Sequence, residues 1–393
     1  MIPRLIESAV LEDARSYPVV AVLGARQTGK TTLVRAAFPD RQYANLEDPE
    51  TRAFAAEDPR GFLAEGTMPM VIDEFQHQPE LLSYIQAIVD EKKLPGQYVL
   101  TGSQNVMMNQ RISQSLAGRV ALFTLPPLSL EELDTVNLVR EDRNTQIRNG
   151  FFPRLYEGQP DAGRYYRNYI QTYVERDVRT LKNVSDLSVF QDFLRLLAGR
   201  VGQVVNLSSL GNDAGVSHNT AKAWIGLLEA SYIVYRLRPY HRNFNKQIVK
   251  SPKIYFSDTG VLCSLLGIDS GDALTSHFLI GGIFENLVIG ELLKAQLNRG
   301  HEPRFYFWRD RRGQEVDLLI ENAGTRTTIE IKAGKTIVTD YFSGLDYYGA
   351  LDPQCPPDRR FVVYGGRDEQ KRASGSVVGW RRLANPGFLL GEG

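Results

Sequence analysis

The stretch Tyr17-Pro18-Val19-Val20-Ala21-Val22-Leu23-Gly24-Ala25-Arg26-Gln27-Thr28-Gly29-Lys30-Thr31-Thr32 decides the fold. Its first half is apolar and rich in β-branched residues, which predicts a buried strand. Its second half has the spacing Gly, four residues, Gly-Lys-Thr, and runs into a helical pattern that ends near Ala37. Strand, glycine-rich turn and helix in that order are the context a phosphate-binding loop requires. The glycines let backbone N–H groups curl around phosphate oxygens, and the start of the helix adds its positive end. Gly24, Gln27, Thr28, Gly29, Lys30, Thr31 and Thr32 are therefore the expected nucleotide-binding residues. Lys30 is placed to reach the β- and γ-phosphates, and the Thr31 hydroxyl to ligate Mg²⁺. ATP and Mg²⁺ are the expected cofactors, and the fold class is α/β with a P-loop core.

Two further strands extend this reading. Met68-Pro69-Met70-Val71-Ile72-Asp73-Glu74 is an apolar run that ends in two carboxylates. Asp73 is expected to hold Mg²⁺ through water, and Glu74 to orient the attacking water as a base. A helix is predicted from Glu80 to about Glu91. The run Gln97-Tyr98-Val99-Leu100-Thr101-Gly102-Ser103 then ends in small polar residues. Ser103 or Thr101 is expected to touch the γ-phosphate or the water that attacks it.

The 393-residue chain is 42% hydrophobic and 23% charged, which is ordinary for a folded soluble protein. Its length suits several domains. No apolar run approaches a membrane span, and Met1-Ile2-Pro3-Arg4 lacks the core of a signal peptide. The two cysteines, Cys263 and Cys355, exclude a disulfide scaffold and a cysteine-based zinc site. A reducing cytoplasm is the expected location. There are 46 basic and 46 acidic residues, so bulk coating of nucleic acid or membrane by charge is excluded. The neutrality is uneven along the chain. Residues 189–257 hold 9 basic and 3 acidic side chains, and no acid lies between Glu229 and Asp258. A local electropositive surface is expected there.

The basic stretch has helix-turn-helix grammar. Phe190 to Leu197 has helical apolar spacing, Leu207 starts a short helix, and Ala214-Gly215-Val216-Ser217 makes a turn with Ser217 as the next N-cap. The helix His218 to Ala230 would bury Ala221, Trp224, Ile225 and Leu228 and expose Asn219 and Lys222. Strands at Tyr232–Leu237 and near Ile254–Phe256, joined by a basic loop, read as a wing. Asn219, Lys222, Arg242 and Lys246 are the expected DNA-contacting residues, with Tyr235, Tyr240 and Phe244 interleaved as rings for stacking. The alternative is that the winged helix is a protein–protein module whose basic loop packs on a neighbouring domain.

Downstream, a helix starts near Gly282 and carries Glu285. Strands Glu315–Ile320 and Thr327–Lys332 flank the turn Asn322-Ala323-Gly324-Thr325. A hairpin symmetric about that turn puts Asp317 opposite Glu330 and Glu315 opposite Lys332, all on one face. Facing carboxylates repel, and a divalent cation between them would relieve the repulsion. Asp317 and Glu330, with Lys332 beside them, are thus a candidate second metal site; the arrangement resembles that of PD-(D/E)XK nucleases, and the resemblance makes Glu285 an extra acid on the same metal. The alternative is a plain cross-strand ion pair. Arg304 to Gly313 reads either as a nucleic-acid-binding hairpin tip or as a buried strand ending in a charged turn.

The segments Gly24 to Thr32, Asp73-Glu74-Phe75-Gln76, Thr101-Gly102-Ser103, Ser115-Leu116-Ala117-Gly118-Arg119, Tyr173-Val174-Glu175-Arg176-Asp177 and Pro252-Lys253-Ile254-Tyr255-Phe256-Ser257-Asp258-Thr259-Gly260 together resemble one family. It is that of prokaryotic AAA+-type P-loop ATPases with a C-terminal domain of unknown function similar to the PD-(D/E)XK nucleases. The resemblance implies four domains: an ATPase core at 1–125, a helical lid at 126–188, a winged helix at 189–257 and a restriction-endonuclease-like α/β domain at 258–393. It implies ATP hydrolysis in a homo-oligomer, a hexamer being one option, and makes Arg119 or Arg176 an arginine finger. The expected function is an ATPase that couples hydrolysis to binding or remodelling DNA, duplex or branched. The alternative is a slow nucleotide-dependent signalling switch that controls an effector domain without motor activity.

Overall fold

The computed structural model describes residues 2–65, 69–103, 112, 114–158, 160–174, 187–240, 251–322 and 324–391. The chain forms two compact units. One consists of Met1–Leu128, Ala230–Tyr232 and Gln296–His301, the other of Ser129–Glu229, Ile233–Ala295 and Glu302–Gly393. The second takes in the stretches in which the sequence places a lid, a winged helix and a nuclease-like domain.

The first unit is built on five strands: β1 (Val19–Leu23), β2 (Gln42–Asn45), β3 (Met70–Asp73), β4 (Tyr98–Gly102) and β5 (Val120–Thr124). They form one sheet in the order β2-β3-β4-β1-β5, and every pairing is parallel. All five residues of β1 are buried. Its alternate side chains serve two cores, as strand geometry requires. Val19, Ala21 and Leu23 pack with Leu82, Ile85 and Val89 of the helix Leu81–Lys92. Val20 and Val22 pack with Val10 of the helix Glu7–Asp13 and Leu33 and Val34 of the helix Lys30–Ala37. Strands β1, β3 and β4 are buried throughout and read as continuous apolar runs, which is why they were legible. Because the strands are parallel, the loops after β1, β3 and β4 leave from one edge of the sheet.

In the second unit, helices Leu187–Ala198, Leu207–Asp213 and His218–Ala230 precede the antiparallel pair β6 (Val234–Pro239) and β7 (Lys253–Phe256). Trp224 stands edge-on between Phe190 and Phe193, 5.1 Å from each ring centre. The buried face of the last helix is Ala221, Trp224, Ile225 and Leu228, and Asn219 and Lys222 are exposed. Strand β6 also pairs with β8 (Phe305–Arg309), so the hairpin ends a larger sheet. With β9 (Glu315–Asn322), β10 (Thr325–Lys332), β11 (Arg360–Tyr364), β12 (Gln370–Arg372) and β13 (Gly375–Gly379), the order is β12-β13-β11-β10-β9-β8-β6-β7. The β9–β10 ladder runs from Asn322↔Thr325 to Leu318↔Ile329, the register expected from a symmetric turn. The run from Phe305 is a strand, half-buried at its start and buried at Phe307 and Trp308.

Both cysteines are free and buried. Among the described residues no helix is long and apolar enough to cross a membrane.

Candidate functional site

The common edge of the five-stranded sheet gathers the residues expected to handle a nucleotide. Gly29 has a φ of 93°, in the region that glycine adopts without strain, and the helix Lys30–Ala37 starts directly after it. The Lys30 side chain is buried and reaches back over the loop, with its ammonium donating to the carbonyls of Gly24 at 3.1 Å and Ala25 at 2.8 Å. Thr28 is also buried, and its hydroxyl donates to the Ala25 carbonyl at 3.0 Å. Gln27 stands in the left-handed region at φ 64°, and Thr32 is exposed on the first turn of the helix.

Asp73 closes β3 and is 2% exposed. Its carboxylate accepts hydroxyls from three elements: Thr31 at 2.7 Å, Tyr43 at 2.6 Å, and Thr101. Burial and the bond to Asp73 together push the Tyr43 phenol above its ordinary pKa, so it stays a donor. The Thr31 hydroxyl and the Asp73 carboxylate are both hard oxygen donors and lie 2.7 Å apart. That donor set fits Mg²⁺, which binds through one or two such oxygens and retains water.

Glu74, the next residue, has a left-handed backbone at φ 55°. Its carboxylate accepts from the Gln76 amide and from the Ser103 hydroxyl, the latter at 3.2 Å. The Gln76 amide also donates to Ser103 at 3.2 Å. Gly102 makes room for this arrangement, because a Cβ there would lie 2.6 Å from Oε1 of Gln76. Strand β4 lies between β3 and β1, so Thr101 and Ser103 arrive between the two carboxylates and the loop.

Sequence reasoning missed two residues of this site. Tyr43 sits on β2, a four-residue strand with a mixed burial pattern and hence no periodic signal. Arg4, 9% exposed, donates from one nitrogen to the Thr28 carbonyl at 2.7 Å and from another to the Pro126 carbonyl at 2.8 Å. It fixes the phosphate loop from behind, and nothing in the local pattern around an isolated arginine announces that.

Arg119 lies elsewhere. Its carbonyl accepts from the Val19 amide at 3.1 Å, where β1 begins, so it stands at the opposite end of the sheet from the loop, roughly 13 Å along the strand. Its guanidinium grips Asp90 with two bonds, of 2.5 and 2.9 Å. Within its own chain it is not brought to the phosphates. Arg176, Arg242 and Lys246 lie outside the described residues.

The candidate second metal site takes a different form. Among the described residues no group of three or more His, Cys, Asp or Glu is placed to hold a metal ion. Instead, the ammonium of Lys253 stands among the carboxylates. It is 2.8 Å from Glu285, 2.5 Å from Glu315 and 4.0 Å from Asp317, and its side chain is 2% exposed. Burial alone would lower its pKa, but Glu285, Asp317 and Glu315 together outweigh it and hold the lysine above its ordinary value. Burial pushes Glu285 up to about 7 against the pull of Lys253, and raises Asp317 and Glu330 as well. Asp317 accepts the Ile331 amide at 2.8 Å, next to the last paired position of the ladder. Glu330 pairs with Lys332 at 2.5 Å. Among these carboxylates the positive charge is supplied by the chain itself, through Lys253. A lysine inside the apolar run Pro252–Phe256 was the signal, since a buried lysine requires partners.

Part of the basic stretch turns inward, while Arg238 is exposed. Lys253 points inward, and Arg236 pairs with Glu229 at 2.7 Å. Tyr235 stacks on Tyr255 with its hydroxyl buried. Tyr240 is 6% exposed and binds Glu321 and Arg326. Tyr240 belongs to the core, Tyr235 is half-buried, and Phe244 lies outside the described residues.

Two predictions follow from these contacts. Arg4→Ala leaves two buried carbonyls without that donor, at about 1–3 kcal/mol. ATP affinity measured by calorimetry should fall, and Arg4→Lys should recover part of it. Lys253→Met strands buried carboxylates, at about 3–5 kcal/mol. Burial raises the pKa of Glu285, to about 7, and that of Asp317, so falling pH neutralises these two and relieves the stranded charge. The loss in thermal midpoint should therefore be larger at pH 8 than at pH 5.

Comparison with known proteins places these features. Residues 16–134 match a family described as an AAA domain, residues 140–272 a domain of unknown function (DUF8612) and residues 280–383 a domain of unknown function (DUF4143). The uncharacterized proteins Mb2031c of Mycobacterium bovis and Rv2008c of Mycobacterium tuberculosis are each 32% identical over 323 residues, 81% of this chain and 71% of theirs. An uncharacterized protein of Haemophilus influenzae is 23% identical over 209 residues, 50% of each chain. Among solved structures, the Walker-type ATPase paby2304 of Pyrococcus abyssi aligns with a TM-score of 0.44 at 17% identity, over 67% of this chain and 96% of that one. The chain accordingly belongs to the family of the mycobacterial proteins Rv2008c and Mb2031c, with an AAA-type P-loop domain in its N-terminal part.

Proposed function

We propose that this protein is a Mg²⁺-dependent ATPase that couples hydrolysis to binding or remodelling DNA as a ring-forming homo-oligomer. The observation that carries the reading is the convergence of Lys30, Thr31, Asp73, Glu74, Thr101 and Ser103 on one edge of a parallel sheet, beside a loop built for phosphate. In this reading Lys30 exchanges the carbonyls of Gly24 and Ala25 for the β- and γ-phosphate oxygens. Thr31 and Asp73 hold the cation, which when bound neutralises the developing phosphoryl charge. Glu74 orients the attacking water and takes up its proton, and Ser103 and Gln76 fix the direction of its carboxylate. Arg119, at the far end of the sheet, serves as a finger only for a neighbouring subunit.

The three helices and the β6–β7 hairpin are read as a winged helix, with Asn219 and Lys222 on the exposed side of the helix His218–Ala230 as the DNA contacts. The eight-stranded sheet is read as a nuclease-like fold in which Lys253 replaces the metal, so no cleavage is assigned to it. One observation favours the second reading, a slow nucleotide-dependent switch. The inward placement of Lys253 and Tyr240 removes both from the surface available to nucleic acid.

Lys30→Ala should abolish ATP binding or turnover. Glu74→Gln should still bind ATP and turn over about 10²–10⁴-fold more slowly; unchanged phosphate release in this variant would remove Glu74 from its role. Lys222→Glu should weaken binding to forked or duplex DNA and flatten its dependence on salt. DNA-independent, slow turnover in the wild type would select the switch.

A further inference from the structure

A cavity of about 440 Å³ opens between the helix His218–Ala230 and the β6–β7 hairpin. Its volume is within the range of small-molecule sites, about 300–1,000 Å³. The walls divide by chemistry. Val205, Leu207, Ile225 and Ile254 form an apolar floor. His218 and Lys222, four residues apart on the first turns of the helix, lie at the rim on one face. Arg236 faces the cavity from β6 and is anchored by Glu229 at 2.7 Å. Lys222 has no carboxylate partner among the described residues, and the start of a thirteen-residue helix adds its positive end to the same rim.

The wall is also tied to β7. Pro252 and Ile254 line the cavity, while Lys253 between them turns to the opposite face and into the carboxylate cluster. The Val205 amide donates to the Pro252 carbonyl at 3.0 Å, tying the floor to β7. A concave apolar floor with uncompensated positive charge on one rim selects a molecule with two parts.

We propose that this cavity binds a small amphipathic anion, one phosphate, sulfonate or carboxylate head on a compact apolar body. The head lies against Lys222 and His218 and the body on Val205, Ile225 and Ile254. The binding is independent of the proposed function. One consequence rests on that reading: Lys222 is a DNA contact there, so an occupant competes with DNA.

The test uses the full-length protein and the dye 8-anilinonaphthalene-1-sulfonate as probe, with excess ATP and Mg²⁺ present to occupy the phosphate loop. The expected result is one saturable fluorescent site, about tenfold weaker in Lys222→Gln, where a charged head loses its cation. Ser208→Trp, an exposed rim position, should plug the cavity and abolish the signal while leaving the near-ultraviolet circular dichroism of the fold intact. A saturable site that survives Ser208→Trp lies elsewhere and overturns the proposal, as does the absence of saturable binding in the wild type. Dye binding that responds to both variants in a protein that fails to bind DNA sustains the cavity and removes the DNA reading alone.

Discussion

The Asp73 carboxylate is the constraint on which the first unit's site depends. It is nearly sealed from solvent, yet among the described residues it carries no ion pair; hydroxyls from Thr31, Tyr43 and Thr101 solvate it instead. A buried carboxylate without donors would cost several kcal/mol. Meeting that need draws the helix after the phosphate loop, strand β2 and strand β4 to one point. The parallel sheet makes this possible, because β1, β3 and β4 all end at the same edge. Glu74 then inherits its position from Asp73, turned by a left-handed backbone toward Gln76 and Ser103.

In the second unit the corresponding constraint is Lys253. One ammonium serves Glu285 from a helix and Glu315 from β9, and Asp317 lies at the edge of its reach. The arrangement has the residues of a metal site, but the cation is covalently part of the chain. A divalent ion would exchange with solvent, whereas a lysine side chain holds the β6–β7 hairpin to β9 permanently. Lys253 thus fastens the β6–β7 hairpin to the helix that carries Glu285 and to β9.

Much of this was legible from the sequence, for physical reasons that also mark its limits. Strand β1, the phosphate loop, Asp73 and Glu74 were readable because a buried parallel strand leaves an apolar run and phosphate chemistry demands fixed spacings. The β9–β10 register was readable because two residues separate the paired Asn322 and Thr325, which leaves little freedom in pairing. The helix His218–Ala230 was readable from its apolar period. Tyr43 and Arg4 were not, since each acts through a contact distant in sequence from a segment with no period of its own. The inward turn of Lys253 was not legible, because local charge counting cannot see Glu285, Glu315 and Asp317, which reach it from elsewhere in the chain. The tail beyond Leu351 supplies β11 to β13, short strands whose pattern is diluted by Pro, Gly and charged residues.

The central claim is that the edge of the five-stranded sheet is a hydrolytic Mg²⁺–ATP site. Phosphate release from ATP by the purified full-length protein, followed as Mg²⁺ is titrated and then removed with chelator, tests it most directly. The account predicts turnover that rises with Mg²⁺ and stops on chelation. Turnover that is indifferent to Mg²⁺, or none at any Mg²⁺ concentration with or without DNA, would contradict it.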